Sequence, residues 1–224
     1  MRENLEHMLV NIKKDLIFMA NEVENALHCS LKSLENQDKD LAKLVTKSDK
    51  NINVAEVKIE KQIVSLLALQ QPVAADLRFM LVAIKINNDL ERIGDHSKNI
   101  AKSAKKLCGE PIMKPIDEII QLGKECKNML RESVQAFINQ NTDLAQDVHQ
   151  RDKHIDEIHD KIFNDIIINL EENKGNIRQG VELISVIKQL ERIADLSINI
   201  CEDVIFMKDA KITRYGFDKK ESGK

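Results

Sequence analysis

Glu91, Asp95 and Asn99 follow one another at steps of four, and Glu191, Asp195 and Asn199 do the same a hundred residues later. On an α-helix that step places all three oxygen-bearing side chains on one face. Matching series stand upstream, Asp49, Asn53 and Glu56 in one case and Asp152, Asp156 and His159 in the other. Carboxylates gathered this way either raise one another's pKa or recruit a cation. Oxygen-rich sets suit magnesium, manganese, calcium or iron, and an inward-pointing His159 would tilt the second set toward iron, nickel or zinc. The competing reading is a solvated, salt-bridged face in which Arg92, Arg192, Lys50 and Lys153, each adjacent in sequence to one of the acids, supply the balancing charge.

An antiparallel helical hairpin sets residues level when they share a midpoint at its turn. Asp49 with Asp95, and Asn53 with Glu91, are both centred on Pro72; Asp152 with Asp195, and Asp156 with Glu191, are both centred just before Gly175. Each hairpin should therefore hold a cluster of acids from two adjacent helices, about 30 Å from its tip at about 1.5 Å per residue. A solvated face has no reason to keep two such clusters in register, which puts bound cations on an equal footing with the salt-bridged reading. The candidate metal ligands are Asp49, Glu91 and Asp95 in the first cluster and Asp152, Asp156, Glu191 and Asp195 in the second. Asn53 stands where the second copy has Asp156, so the first cluster is expected to bind a cation more weakly or with fewer ions.

The elements that must carry these residues come from a duplication. Residues 90–100, LERIGDHSKNI, match residues 190–200, LERIADLSINI, at 8 of 11 positions. Upstream the offset becomes 103: Asn36, Gln37, Asp40, Leu41 and Ala42 correspond to Asn139, Gln140, Asp143, Leu144 and Ala145, and Asp49, Lys50 and Ile52 to Asp152, Lys153 and Ile155. The three residues lost from the second copy belong in a loop near residue 72. Phe79, Ala83, Ile86, Leu90, Ile93, Ser97, Ile100, Ala104 and Leu107 alternate steps of three and four, and Leu183 to Met207 repeat the stripe, so both segments read as long amphipathic helices. Pro72 suits the first turn of a helix, and Asn36 to Asp40 and Asn139 to Asp143 supply capping side chains. Each copy reads as three helices with short, antiparallel connections. The expected architecture is all-α: two tandem, pseudo-symmetric three-helix bundles, over residues 1–108 and 116–210, with a linker at 109–115 marked by Gly109, Pro111 and Pro115, and a flexible tail at 211–224.

Composition agrees. The 224 residues include 7 Gly and 3 Pro, too few for a turn-rich β architecture, while 42% hydrophobic and 32% charged residues exclude both a disordered chain and a bilayer-spanning segment. A net charge of −3, no Trp, 1 Tyr and 6 Phe offer nucleic acid neither a general electrostatic pull nor stacking platforms. The charged N-terminus lacks the apolar stretch of a signal peptide, and Cys29, Cys108, Cys126 and Cys201 lack a CxxC pair, so a cytoplasmic chain with free thiols is expected. His7 and His28 read as surface residues, His96 as a packing residue. Asp76 and Arg78 have capping and ion-pair readings as well as a partner-binding one.

Three segments, PVAADLR at 72–78, LRFMLVAIKINNDLERIGDHSKNIA at 77–101 and LERIADLSINICEDVIFM at 190–207, closely resemble the PhoU family of phosphate-signalling regulators, over nearly the whole chain. The resemblance implies tandem three-helix bundles with a repeated [Glu/Asp]xxxAsp motif able to carry metal. That motif falls here on Glu91 and Asp95, Glu191 and Asp195, and Asp152 and Asp156; Asp49 opens a fourth instance that Asn53 does not complete. The family's late Gly is replaced by Asp209 and Ala210. The resemblance further implies a non-catalytic, cytoplasmic negative regulator of phosphate uptake that links the ATPase side of a phosphate-importing ABC transporter to a sensor histidine kinase, meeting the membrane only through these partners. A homodimer is compatible with this reading. No GxxxxGK, GxSxG or HExxH motif supports an enzyme. The alternatives are a metal-free helical adaptor and a di-metal carboxylate oxidase; the latter needs two ExxH pairs in one four-helix bundle, where this chain offers a single DxxH at Asp156 and His159.

Overall fold

The computed structural model describes residues 2–109 and 111–210, and every regular element among them is helical. Helices α1 (Arg2–Glu35), α2 (Lys39–Gln70) and α3 (Ala74–Leu107) form the first copy. Helices α4 (Ile116–Asn139), α5 (Thr142–His149), α6 (Asp152–Glu172) and α7 (Ile177–Asp209) form the second, with a 3-10 turn at Lys174–Asn176 ahead of α7. The tail expected beyond residue 210 lies outside the described residues.

The caps fall where short polar side chains were expected. Asp38 Oδ1 accepts hydrogen bonds from the backbone N–H groups of Asp40 and Leu41 at 3.0 and 2.9 Å, satisfying donors that the first turn of α2 leaves open. Asn141 does the same for α5 through Leu144 N–H at 3.1 Å. Pro72 departs from expectation, because it precedes α3 instead of entering its first turn. Gln71, in the left-handed region at φ 44°, ends α2, and extended Val73 leads into α3, so Pro72 serves the turn.

A second departure is that one of the six expected long helices is cut in two. At Gln150 and Arg151 the ladder tightens: Arg151 N–H donates to Val148 O, three residues back, at 3.1 Å. The Arg151 guanidinium is tied to Glu132 of α4 at 2.7 Å. A new helix, α6, therefore opens at Asp152, placing that acid beside free backbone N–H groups, where negative charge is favoured.

The predicted stripes are core. On α3, Ala83, Ile86, Leu90, Ile93, Ser97, Ile100, Ala104 and Leu107 are buried, and on α7 every position of the stripe from Leu183 to Met207 is. Ile52, Ile59, Ile63 and Leu66 of α2 and Leu16, Met19, Val23 and Leu27 of α1 complete the first bundle's interior. Each such side chain contributes roughly 1.5–3 kcal/mol by leaving water. The two bundles are not separate: α3 and α7 form the most extensive helix–helix contact, α1 also lies against α4, and one continuous core runs through both halves.

The α3–α7 seam is antiparallel and partly polar. Lys85 pairs with Asp203 at 3.0 Å, His96 Nδ1 meets Gln189 Oε1 at 2.7 Å, and Ser103 Oγ donates to Glu182 at 2.8 Å, with Lys106 on the same carboxylate. Numbers rise on α3 as they fall on α7, and the pairs centre near Ile93 and Ile193, equivalent positions of the two copies. The duplicated units thus face each other across a pseudo-two-fold axis.

Candidate metal centre

The first acidic cluster forms where α2 and α3 run side by side. Asp49 and Asp95 stand level, as their shared midpoint requires, and a lysine joins them: Lys98 Nζ lies 2.8 Å from Asp49 Oδ2 and 2.7 Å from Asp95 Oδ1. Asp49 is only 8% exposed, and its Oδ1 has no hydrogen-bond partner. Burial, then the charges of Asp95, Glu56 and Asp49, raise the Glu91 carboxyl above its ordinary range, with Lys98 opposing. Burial would pull the Lys98 ammonium down, yet the bonds to Asp49 and Asp95 outweigh it and hold the proton more firmly than usual.

The bases expected to balance the acids do not perform that role in the first cluster. Arg92 turns to Asp89 at 3.7 Å, and Lys50 is exposed. The neutralising residue is Lys98, one turn beyond Asp95. Its signal was visible in the repeat, since position 98 is one of the three mismatches between the eleven-residue segments and its equivalent is Ile198.

The second cluster lacks that lysine and has Asp156 where the first has Asn53. Partial burial, then the charges of Glu191, Asp152 and Asp156, push Asp195 up to about 6, against an Arg192 charge that does not outweigh them, while the side chain still reaches solvent. Asp152 is also raised, by burial and by Asp156, with His149 opposing. The four predicted ligands Asp152, Asp156, Glu191 and Asp195 thus lie within one another's field. Ile198 is 7% exposed and brings no charge. His159 faces this cluster, its Nε2 being 3.7 Å from Glu191 Oε2, too long for a hydrogen bond, and its Nδ1 3.3 Å from Asp160. Lys153 turns away to Glu157 at 3.7 Å.

Among the described residues no three His, Cys, Asp or Glu side chains converge to metal-ligand spacing. The second cluster nevertheless fits a cation chemically: four carboxylates from two helices, one of them raised to about 6 by burial and then by its acidic neighbours, and open to water. The first does not fit, because an ammonium group already occupies the space between its two nearest acids.

Other candidate residues are structural. His7 and His28 are exposed, and His96 is buried in the α3–α7 seam. All four cysteines are free, with Cys126 and Cys201 buried. Arg78 Nε donates to Met207 O at 3.4 Å, capping the carbonyl end of α7.

Comparison with known proteins places this geometry. The family profile described as the PhoU domain matches twice, over residues 16–104 and 119–204. The phosphate-specific transport system accessory protein PhoU homolog of Clostridium acetobutylicum is 35% identical over 211 residues, covering 94% of this chain and 96% of that protein. The Escherichia coli accessory protein PhoU is 31% identical over 198 residues, covering 88% and 82%. The crystal structure of PhoU from Pseudomonas aeruginosa superposes with a TM-score of 0.90 at 31% identity, covering 92% of this chain and 99% of that one.

Proposed function

Because this chain belongs to the PhoU family, we propose that it is a non-catalytic regulator that restrains phosphate uptake and the phosphate-starvation response when phosphate is plentiful. Its relatives are named as accessory proteins of the phosphate-specific transport system, and a role in regulating phosphate transport follows for this chain. The observation that carries the reading is the paired PhoU-domain match across both copies, with the acidic motif retained in each.

In this reading the long helices present a rigid, charged surface to the cytoplasmic ATPase of a phosphate ABC transporter and to a sensor histidine kinase. No helix among the described residues is long and apolar enough to cross a membrane; in this reading contact with the bilayer runs through these partners. Asp152, Asp156, Glu191 and Asp195 hold a cation that fixes α6 against α7. Carboxylate oxygens favour magnesium, manganese or iron, and recruitment of His159 would shift the preference toward zinc or nickel. The cation supplies charge neutralisation; the protein supplies the oxygens, their register and the rigidity that transmits it. Loss of the ion loosens the hairpin through carboxylate repulsion.

The test is genetic and biochemical together. Deleting the gene should turn on a phosphate-starvation reporter in phosphate-rich medium, and re-expression should silence it. Affinity capture of the tagged chain from phosphate-replete cells should recover the transporter ATPase and the kinase. A reporter unaffected by deletion would refute the regulatory reading.

A further inference from the structure

We propose that Lys98 takes the place of a metal ion in the first bundle, so that this bundle does not respond to cations. The proposal rests on the second cluster's cation reading for its contrast, and on the first cluster's own geometry for its substance. Lys98 Nζ bonds one carboxylate from α2 and one from α3, the two helices whose acids the duplication brings level. It thereby performs the bridging that a metal would perform, with a charge that cannot dissociate from the chain. A divalent ion entering between Asp49 and Asp95 would meet that ammonium within hydrogen-bonding distance of both acids, and either like-charge repulsion or displacement of Lys98 would oppose it. Asn53 weakens the same cluster further by removing a carboxylate that the second copy keeps as Asp156. Ile198 occupies the equivalent position in α7, buried and apolar, so the second copy has no tethered counter-ion at that position.

The asymmetry divides labour between the duplicated halves. The first hairpin is fixed permanently by α3's own lysine, while the second is fixed conditionally by a solution ion. Asp49 shows the consequence of this arrangement: its Oδ2 is satisfied by Lys98 while its buried Oδ1 has no partner. Removal of Lys98 would leave both oxygens of a buried carboxylate in need of positive charge, and that need makes the site competent for a cation.

Mn²⁺ uptake by the full-length protein, followed through the paramagnetic resonance signal of the free ion, tests this directly. Asp195→Asn silences the second cluster, and in that background the first cluster should bind no Mn²⁺ at a concentration that saturates the unmodified chain. Adding Lys98→Ile should create uptake, tightening apparent affinity by at least about tenfold once the competing charge is gone. In the reciprocal variant, Ile198→Lys should abolish uptake by the second cluster. Should Lys98→Ile disturb folding as judged by circular dichroism, Lys98→Gln, which keeps hydrogen bonding without the charge, carries the same expectation. Mn²⁺ bound at the first cluster with Lys98 in place, or no gain in folded Lys98→Ile and Lys98→Gln proteins, would overturn the proposal. An unmodified chain that binds no Mn²⁺ would sink the second-site reading instead, and the gain on removing Lys98 would still decide the present one.

Discussion

Position 98 and its repeat 198 differ by one charge, and that charge separates the two acidic clusters. With Lys98 present, Asp49 and Asp95 are bridged at 2.8 and 2.7 Å; in the second copy Ile198 stands in its place, and burial, then the charges of Glu191, Asp152 and Asp156, raise the Asp195 pKa from 3.8 to about 6. The sign of the consequence is fixed by linkage. A carboxyl whose folded pKa is raised binds its proton more tightly when folded, so its stabilising contribution is complete below the ordinary value and is lost as pH rises through about 6. Chelator-treated protein should therefore lose thermal stability between about pH 4 and pH 6, and Asp195→Asn should flatten that decline and raise the melting temperature at neutral pH. A melting curve of Asp195→Asn that tracks the unmodified chain at every pH would show that the acids do not interact. At this scale the sequence revealed the seven acids and their levels through spacing alone. It did not reveal which base balances them, because neighbours in sequence, Arg92, Lys50 and Lys153, point elsewhere on the helix while Lys98, three residues on, shares the face.

Elements were the most legible scale, because periodic apolar stripes and short polar caps are local signals. Asp38 is the clearest case, accepting two backbone hydrogen bonds at the start of α2. Asp38→Ala should cost about 1 kcal/mol in chemical denaturation, and an unchanged midpoint would show that water replaces the cap at no cost. At the far end, Ala210 holds φ 56° as the left-handed cap of α7, where the PhoU resemblance leads one to expect Gly nearby. Ala210→Gly should raise stability by about 0.5–1 kcal/mol, since glycine adopts that region without strain; a loss of stability would contradict the strain argument. The interruption between α5 and α6 was not legible, since neither Gly nor Pro marks Gln150 or Arg151. It is recorded only in a tightened backbone turn and in the tertiary bond from Arg151 to Glu132.

Across the whole molecule, the duplication behaves as one body. The α3–α7 seam joins the halves through Lys85 with Asp203, His96 with Gln189 and Ser103 with Glu182, over a core that continues through both copies. Spacing within each copy carries no signal that Lys85 meets Asp203, His96 meets Gln189 or Ser103 meets Glu182, which is why the expectation of two bundles did not extend to their fusion. A shared core should unfold in a single calorimetric transition, and two resolved transitions would show that the halves fold independently. Fusion bears on the proposed asymmetry: an ion that fixed α6 against α7 would act on α7, the same helix that carries the seam with α3.

The most direct test is crystallographic. Crystals of the full chain soaked in Mn²⁺ and measured with anomalous scattering should show a peak among Asp152, Asp156, Glu191 and Asp195 and none between Asp49 and Asp95, where Lys98 remains in place. A peak at the first cluster with Lys98 swung aside, or an empty second cluster, would contradict the account.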